Sequence, residues 1–465
     1  MSINDERDFA ERLDGALRAS MPSPAPVEGA LRKGRAIRAR RRIAAAVAAA
    51  AAVAAIGVGV PIVLRAGPAP APPAAGRAPA TVHRPGQASP PRSFRGLPPL
   101  RNTSGPFSWV SVNQLNGLAA VSAQDIWAVG SAATAKPLIE HWNGVAWTQV
   151  PAASPPGAKE SLLNSVAATG SSSAWAVGYY NNGHAIKTLI ERWNGRAWTQ
   201  VPSPSPGGAH GSFLYGVAAA GQSSAWAVGY YLLSGSAVKT LIERWNGHMW
   251  VQVPSPSPGD ARLNGVAAAG KSSARAVGLY FGPSMRPLTE RWNGRAWRVV
   301  TSPNPGGCCN ALNAVTTVGE SGAWAAGNTG KTFDEALIER WNGRAWKQVT
   351  SPRPDGSRGS TLTAIAAGSP ANAWAVGYYY ADTKFEPAVF TLTERWNGRS
   401  WRQVASPSPG GSAVHLPDQS LLQAVCTISP SDAWSAGSYS SGSPLGKILT
   451  ERWNGRTWTP LPPGH

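Results

Sequence analysis

The sequence predicts an all-β chain: a seven-bladed β-propeller of four-stranded blades, preceded by one transmembrane helix and a proline-rich linker. Three observations predict it. A hairpin signature recurs seven times at intervals of about 50 residues, each interval holds four strand-like runs, and the first run of each set is small and apolar. Four turn-linked strands at that period belong to a propeller, whereas an open β-solenoid would show shorter repeats.

The signature is fullest in Glu191-Arg192-Trp193-Asn194-Gly195-Arg196-Ala197-Trp198. Asn-Gly between two alternating runs predicts a two-residue type I′ turn, which needs φ > 0 at both central residues. Trp193 would then face Arg196, with Glu191 opposite Trp198. The signature returns as Trp142-Asn143-Gly144, Trp193-Asn194-Gly195, Trp245-Asn246-Gly247, Trp292-Asn293-Gly294, Trp341-Asn342-Gly343, Trp396-Asn397-Gly398 and Trp453-Asn454-Gly455, all read as structural hairpins. Of the 21 Trp, seven precede Asn-Gly and seven follow it. Six more sit in Ala-Trp-Ala-Val-Gly-type stretches, at Trp127, Trp175, Trp226, Trp324, Trp374 and Trp434, leaving Trp109. Tryptophan is therefore scaffold first.

In the second repeat the strands are expected at Leu162–Thr169, Ala174–Tyr180, Thr188–Trp193 and Arg196–Val201. The fourth runs out into Ser-Pro-Ser-Pro-Gly, where proline, lacking an N–H, ends the pairing. Small first strands such as 263–270 suit the crowded propeller axis. Ring closure is expected from packing of the first and last repeats, with Phe107–Val112 docked at the seam as a spare strand.

Four segments follow. Residues 1–42 form a cytoplasmic basic tail, in which Phe9, Leu13, Leu17 and Met21 recur at helical spacing. Residues 43–64 carry no charge and are long enough to cross a bilayer core of about 30 Å. Arg32, Lys33, Arg35, Arg38, Arg40, Arg41 and Arg42 precede them, which places the N-terminus in the cytoplasm and the propeller outside the cell membrane. A cleaved signal peptide is the other reading of that segment. Residues 65–106, rich in Pro and Ala, are a disordered spacer, and 107–465 are the propeller.

The net charge of +19 does not by itself point to nucleic acid. Residues 1–100 hold 15 of the 43 Lys/Arg, and many of the others are the repeated hairpin Arg beside a repeated Glu. No nucleic-acid partner is expected, and the propeller is expected to be monomeric. Cys308, Cys309 and Cys426 match no metal spacing. Three readings stay open for them: a vicinal Cys308–Cys309 disulfide, a bridge from one of these to Cys426, or thiols.

At Ala174-Trp175-Ala176-Val177-Gly178 and Trp193-Asn194-Gly195 with Trp198, the chain resembles the kelch and Asp-box (BNR) propeller families. It departs from them in two ways. Gly178, Gly229 and Gly377 are followed by Tyr where kelch repeats double the glycine, and the Asp-box Ser-x-Asp is missing. The pattern also resembles membrane-anchored surface repeat proteins of GC-rich bacteria. The resemblance implies the fold and leaves the chemistry to the site.

No catalytic residue, metal ligand or cofactor is assigned. Glu140, Glu191, Glu243, Glu290, Glu339, Glu394 and Glu451 occur once per repeat, which marks architecture, since a catalytic residue is unique. The histidines at 83, 141, 184, 210, 248, 415 and 465 form no ligand spacing. Arg275 replaces the second-strand Trp of the fourth repeat, as a buried ligand-binding arginine or as a degenerated position.

Variable loops, between strands two and three and between repeats, emerge on one face of a propeller. That face collects Tyr179, Tyr180, Tyr230, Tyr231, Tyr280, Phe281, Tyr378, Tyr379, Tyr380 and Tyr439. Of these, Tyr180, Tyr231, Tyr280, Tyr379, Tyr380 and Tyr439, with Arg275, are the candidate ligand-binding residues. The first Tyr of each pair is the one expected to pack inside. The expected function is a membrane-anchored extracytoplasmic module that binds cell-wall glycan or a protein partner. The alternatives are a glycan-active propeller enzyme (sialidase-like or galactose-oxidase-like) and the ectodomain of a single-pass signalling receptor.

Overall fold

The computed structural model describes residues 113–234, 237–330, 334–382, 387–410, 419–440 and 446–462. Each repeat contributes four antiparallel strands. In the second they are Glu160–Gly170, Ser173–Asn181, Ile186–Trp193 and Trp198–Gln200. Within each repeat the strands pair in chain order, and the sheets together form a Trp-rich β-propeller. The expected tail, transmembrane helix, linker and spare strand 107–112 lie outside the described residues. Among the described residues no helix is long and apolar enough to cross a membrane.

The expectation of seven separate blades is corrected. Five blades stand as separate four-stranded sheets, and the sixth and seventh repeats share one eight-stranded sheet. A single bridge makes the fusion: Val389, in the sixth repeat's third strand (Pro387–Trp396), pairs in parallel with Gln419, which opens the first strand of the next repeat (Gln419–Ser429).

The hairpin register is corrected as well. Trp193 pairs with Trp198, Arg192 with Thr199 and Glu191 with Gln200, so the turn holds four residues, not two. Only Gly195 among them has positive φ, at +91°. The turn is closed by the Asn194 side chain, whose Oδ1 accepts the N–H of Arg196 at 2.9 Å and of Ala197 at 3.0 Å. The same pair of bonds recurs at Asn143, Asn246, Asn293, Asn342, Asn397 and Asn454. An Asx-type closure satisfies the turn amides locally. It also sets the two Trp of each hairpin side by side, with ring centroids 5.9 Å apart for Trp193 and Trp198.

The core lies between repeats. Trp175 of the second repeat packs on the third repeat's hairpin pair, 4.9 Å from Trp245 and edge-on at 5.1 Å from Trp250. Arg192 covers it, its Cζ 5.2 Å from the Trp175 ring and 5.6 Å from the Trp245 ring. Such stacking adds about 0.5–1.5 kcal/mol per aromatic pair beyond area burial. The motif repeats around the ring. At the seam, Trp434 of the last repeat packs 4.9 Å from Trp142 and 5.6 Å from Trp147 of the first. The first and last repeats thus pack together, as expected from the sequence.

The second-strand glycine answers to the inner strand. That strand bulges between Leu163 and Ser165, around Asn164. A Cβ on Gly178 would lie 2.0 Å from the Leu162 carbonyl oxygen, and one on Gly130 would lie 1.9 Å from that of Gln114. Only glycine lets the two backbones approach this closely.

Gly195 carries the positive φ of its turn, and an added Cβ would also stand 3.2 Å from the Ser172 Cβ. Gly195→Val is therefore expected to cost about 1–3 kcal/mol. Thermal denaturation of the two proteins checks this, and an unchanged Tm would contradict the turn.

Candidate functional site

The inner strands surround a central cavity of about 160 Å³. Their bulge residues tie each repeat to the next. Nδ2 of Asn116 donates to Leu163 O (2.9 Å), Asn164 to Leu214 O (2.8 Å), Asn264 to Leu312 O (2.9 Å) and Asn313 to Leu362 O (2.8 Å). Thr363 continues the series through its hydroxyl to Leu422 O at 2.6 Å. These residues escaped the reading by sequence, although Leu-Asn followed by a small residue recurs at Leu115, Leu163, Leu263 and Leu312.

Tyr215 stands where the third repeat should have its asparagine, and it lines the cavity. Its ring lies 6.0 Å from Tyr179 and 5.9 Å from Tyr230, while Phe213 stacks on Tyr230 at 4.7 Å. Burial pushes all three phenols above their usual range, and the charge of Arg262 opposes this at Tyr215 and Tyr230. They therefore act as neutral hydroxyls. Arg262 ends an inner strand, with Cζ 5.9 Å from the Phe281 ring. Its buried Nε has no acceptor among the described residues. Phe281 is 45% exposed and Leu233, in the neighbouring repeat, 39%. Both belong to the loop ends of the second strands, so an apolar and cationic sector marks the third and fourth repeats on the loop face.

The sequence-predicted residues divide. Tyr180, Tyr231, Tyr280, Tyr379 and Tyr439 share one position, two residues beyond the second-strand glycine. Each is half-buried and packed against an inter-repeat core. Tyr380 lies edge-on to the buried Tyr378, with centroids 5.6 Å apart. Near them burial raises the Asp334 carboxyl, which accepts a 2.9 Å bond from Asn328 Nδ2. Of the first residues in the pairs, Tyr179 and Tyr378 are buried and Tyr230 is half-buried.

Arg275 is not brought to this face. It sits near the hairpin end of the same strand as Tyr280, five residues or about 16 Å away. It is 2% exposed, stacked 4.4 Å from the Trp341 ring, and its Nη atoms have no acceptor among the described residues. Burial and the neighbouring Arg291 lower its pKa to about 10. It occupies the slot that Trp fills in the other repeats.

The seven glutamates are all buried. Several are held by the segment that follows the preceding repeat's fourth strand. Ser302 Oγ donates to Glu339 at 2.7 Å, Ser351 to Glu394 at 2.7 Å, Ser255 to Glu290 at 3.1 Å, and the Ala153 N–H to Glu191 at 2.9 Å. Burial pushes Glu191 up to about 7 and Glu339, Glu394 and Glu451 up to about 8, and it raises Glu243 and Glu290 well above the usual range. Glu191, Glu290, Glu339 and Glu394 are inter-repeat clamps, while Glu451 is bonded by Ser435 of its own repeat.

These shifts set a pH dependence. The folded-state pKa values lie above the unfolded value of 4.5, so between about pH 4.5 and 8 the folded chain holds more protons than the unfolded one. The stability they contribute is complete below the unfolded pKa and is lost as pH rises toward about 8. Tm is expected to fall from pH 5 to pH 8, and Glu339→Gln is expected to flatten that slope. A Tm that rises across this range, or the same slope in the variant, would contradict the buried protonated carboxyls.

No family model and no curated protein matches the chain. Among solved structures it is similar to YCF48 bound to a D1 peptide, at 16% identity and TM-score 0.45, covering 74% of this chain and 92% of that one. It is similar to a polysaccharide lyase, an ulvan lyase bound to a GlcA–Rha3S oligosaccharide, at 10% identity and TM-score 0.47, covering 76% and 97%. A third likeness is to an Aleuria aurantia lectin in complex with Fucalpha1-6GlcNAc, at 16% identity and TM-score 0.38, covering 63% and 97%. The fold assignment rests on the chain's own sheet order and inter-repeat packing, not on these likenesses.

Proposed function

We propose that the chain is a membrane-anchored, extracytoplasmic binding module whose propeller takes a cell-wall glycan or a protein partner on its loop face. One observation carries the reading. The repeated Trp and several of the repeated Glu are taken up between repeats, while Leu233 and Phe281, two of the five exposed large apolar side chains among the described residues, and the half-buried Arg262 lie on the loop face of the third and fourth repeats. Phe281 under Arg262 offers an apolar platform next to a cation, and Leu233 is exposed in the neighbouring repeat. The half-buried Tyr180, Tyr231 and Tyr379 extend the aromatic rim. Aromatic faces stack on sugar rings and anchor protein contacts, and tyrosine adds area at low entropic cost.

The test is retention of the full chain on purified cell wall and on immobilised surface-protein extract. The proteins compared are the wild type, Arg262→Ala/Phe281→Ala, and Tyr180→Ala/Tyr231→Ala/Tyr379→Ala. Loss of retention in either variant, with Tm little changed, is expected. Equal retention of all three would move the site off this face, and turnover of a glycan would favour the glycan-active alternative.

The anchoring rests on residues 32–64, a basic cluster followed by an uncharged run. On intact cells, protease should reach residues 107–465 and leave 1–42 protected. Protection of the propeller would remove the extracytoplasmic assignment.

A further inference from the structure

Cys308 and Cys309 lie on the loop face, in the connection from the fourth repeat's last strand (Trp297–Val300) to the fifth repeat's first (Ala311–Val318). In extended chain, neighbouring side chains point to opposite sides. Here Cys309 has φ 65°, following Gly306 and Gly307 at 67° and 76°. The left-handed backbone brings the two Sγ atoms to one side, 2.7 Å apart.

A non-glycine residue in that region is strained and persists where its surroundings over-determine it. The surroundings do so here. Ser284 Oγ donates to Gly307 O at 3.0 Å and the Asn310 N–H to Met285 O at 3.4 Å. The fully buried Asn310 also donates through Nδ2 to Pro305 O at 2.9 Å and to Asn304 Oδ1. The loop is thus pinned to the tip of the hairpin that carries Tyr280 and Phe281. Both cysteines remain half-exposed, and a Cβ built on Gly306 or Gly307 would meet nothing within 4 Å, so approach is open.

Cys426 behaves otherwise. It is buried in the seam cluster with Leu115 and Trp434, and burial pushes its thiol up to about 12. A buried, undissociated thiol is inert.

We propose that Cys308 and Cys309 form a thiol–disulfide exchange site that closes to a vicinal disulfide at the expense of a disulfide on another molecule. One thiolate attacks a sulfur of the incoming disulfide, forms a mixed disulfide and expels the first thiolate. The neighbouring thiol, having lost its proton, attacks the protein sulfur of that mixed disulfide and expels the second. The incoming disulfide gains two electrons and takes up the two protons the cysteines release; the chain loses them. Closure fixes the loop beside Phe281 in one conformation, and a reducing thiol reopens it.

The test uses the full chain and oxidised glutathione, read by intact mass and by peptide mapping. The wild type is expected to lose the mass of two hydrogen atoms, with Cys308 and Cys309 joined in one peptide, Cys426 unmodified, and reversal by dithiothreitol. Cys308→Ser and Cys309→Ser should each stop at a single glutathione adduct on the remaining cysteine. A persistent adduct on the wild type, a disulfide between two chains, or no reaction while the urea-unfolded chain reacts would each overturn the proposal.

Discussion

The ring depends on one contact: in six of the seven repeats the second-strand tryptophan is inserted against the hairpin tryptophans of the next. It is fully buried, as Trp175 shows against Trp245 and Trp250. A four-stranded sheet alone would leave that indole in water. The interface therefore makes the repeat and its neighbour interdependent, as nearest-neighbour stacking does in repeat proteins. Arg192 completes the sandwich from above, its charge spread over two ring faces.

That contact has a polar cost, met in the same place. The Glu two residues before each hairpin's first Trp points into the interface and is desolvated. The serine clamps on Glu339 and Glu394 supply one donor each, and protonation supplies the remaining neutrality. Glu243 finds no donor among the described residues, which makes its interface more dependent on protonation than its neighbours. Arg275 presents the reverse case, a cation where an indole belongs, stabilised by the face of Trp341 in place of a counter-ion.

Much of this was legible in the sequence, for a physical reason: repetition averages out local ambiguity. Strand positions such as Ser173–Asn181 fell within a residue or two of those read from Ala174–Tyr180. What was not legible depended on geometry that a repeat does not encode. Asn-Gly reads as a two-residue turn, but pairing of Trp193 with Trp198 selects four residues and assigns the asparagine a side-chain role. The joining of the sixth and seventh repeats depends on one backbone pair between neighbouring repeats, Val389 with Gln419, which hydrophobic alternation leaves open. The tyrosines looked variable because the residues around them vary, yet five share a single register position. The asparagine series was visible in the letters and passed over, because in a small apolar first strand nothing in the alternation marks its side chain as a tie to the next repeat.

The hydrogen bonds around the cavity all run in the same sense, each bulge residue donating to the next repeat's carbonyl. They make part of a hoop drawn around the axis, and among the described residues the Tyr215 and Gln423 positions carry no such link. A closed hoop resists local opening everywhere, since any gap strains the remaining links. Here two joints lack the link among the described residues: that between the seventh and first repeats, where Trp434 packs on Trp142 and Trp147, and that between the third and fourth. That is also where Arg262 and Phe281 stand at the rim. One of the two unlinked joints and the surface that carries Arg262 and Phe281 therefore share a sector, so an occupant of that surface would sit across a joint that lacks its bond around the axis.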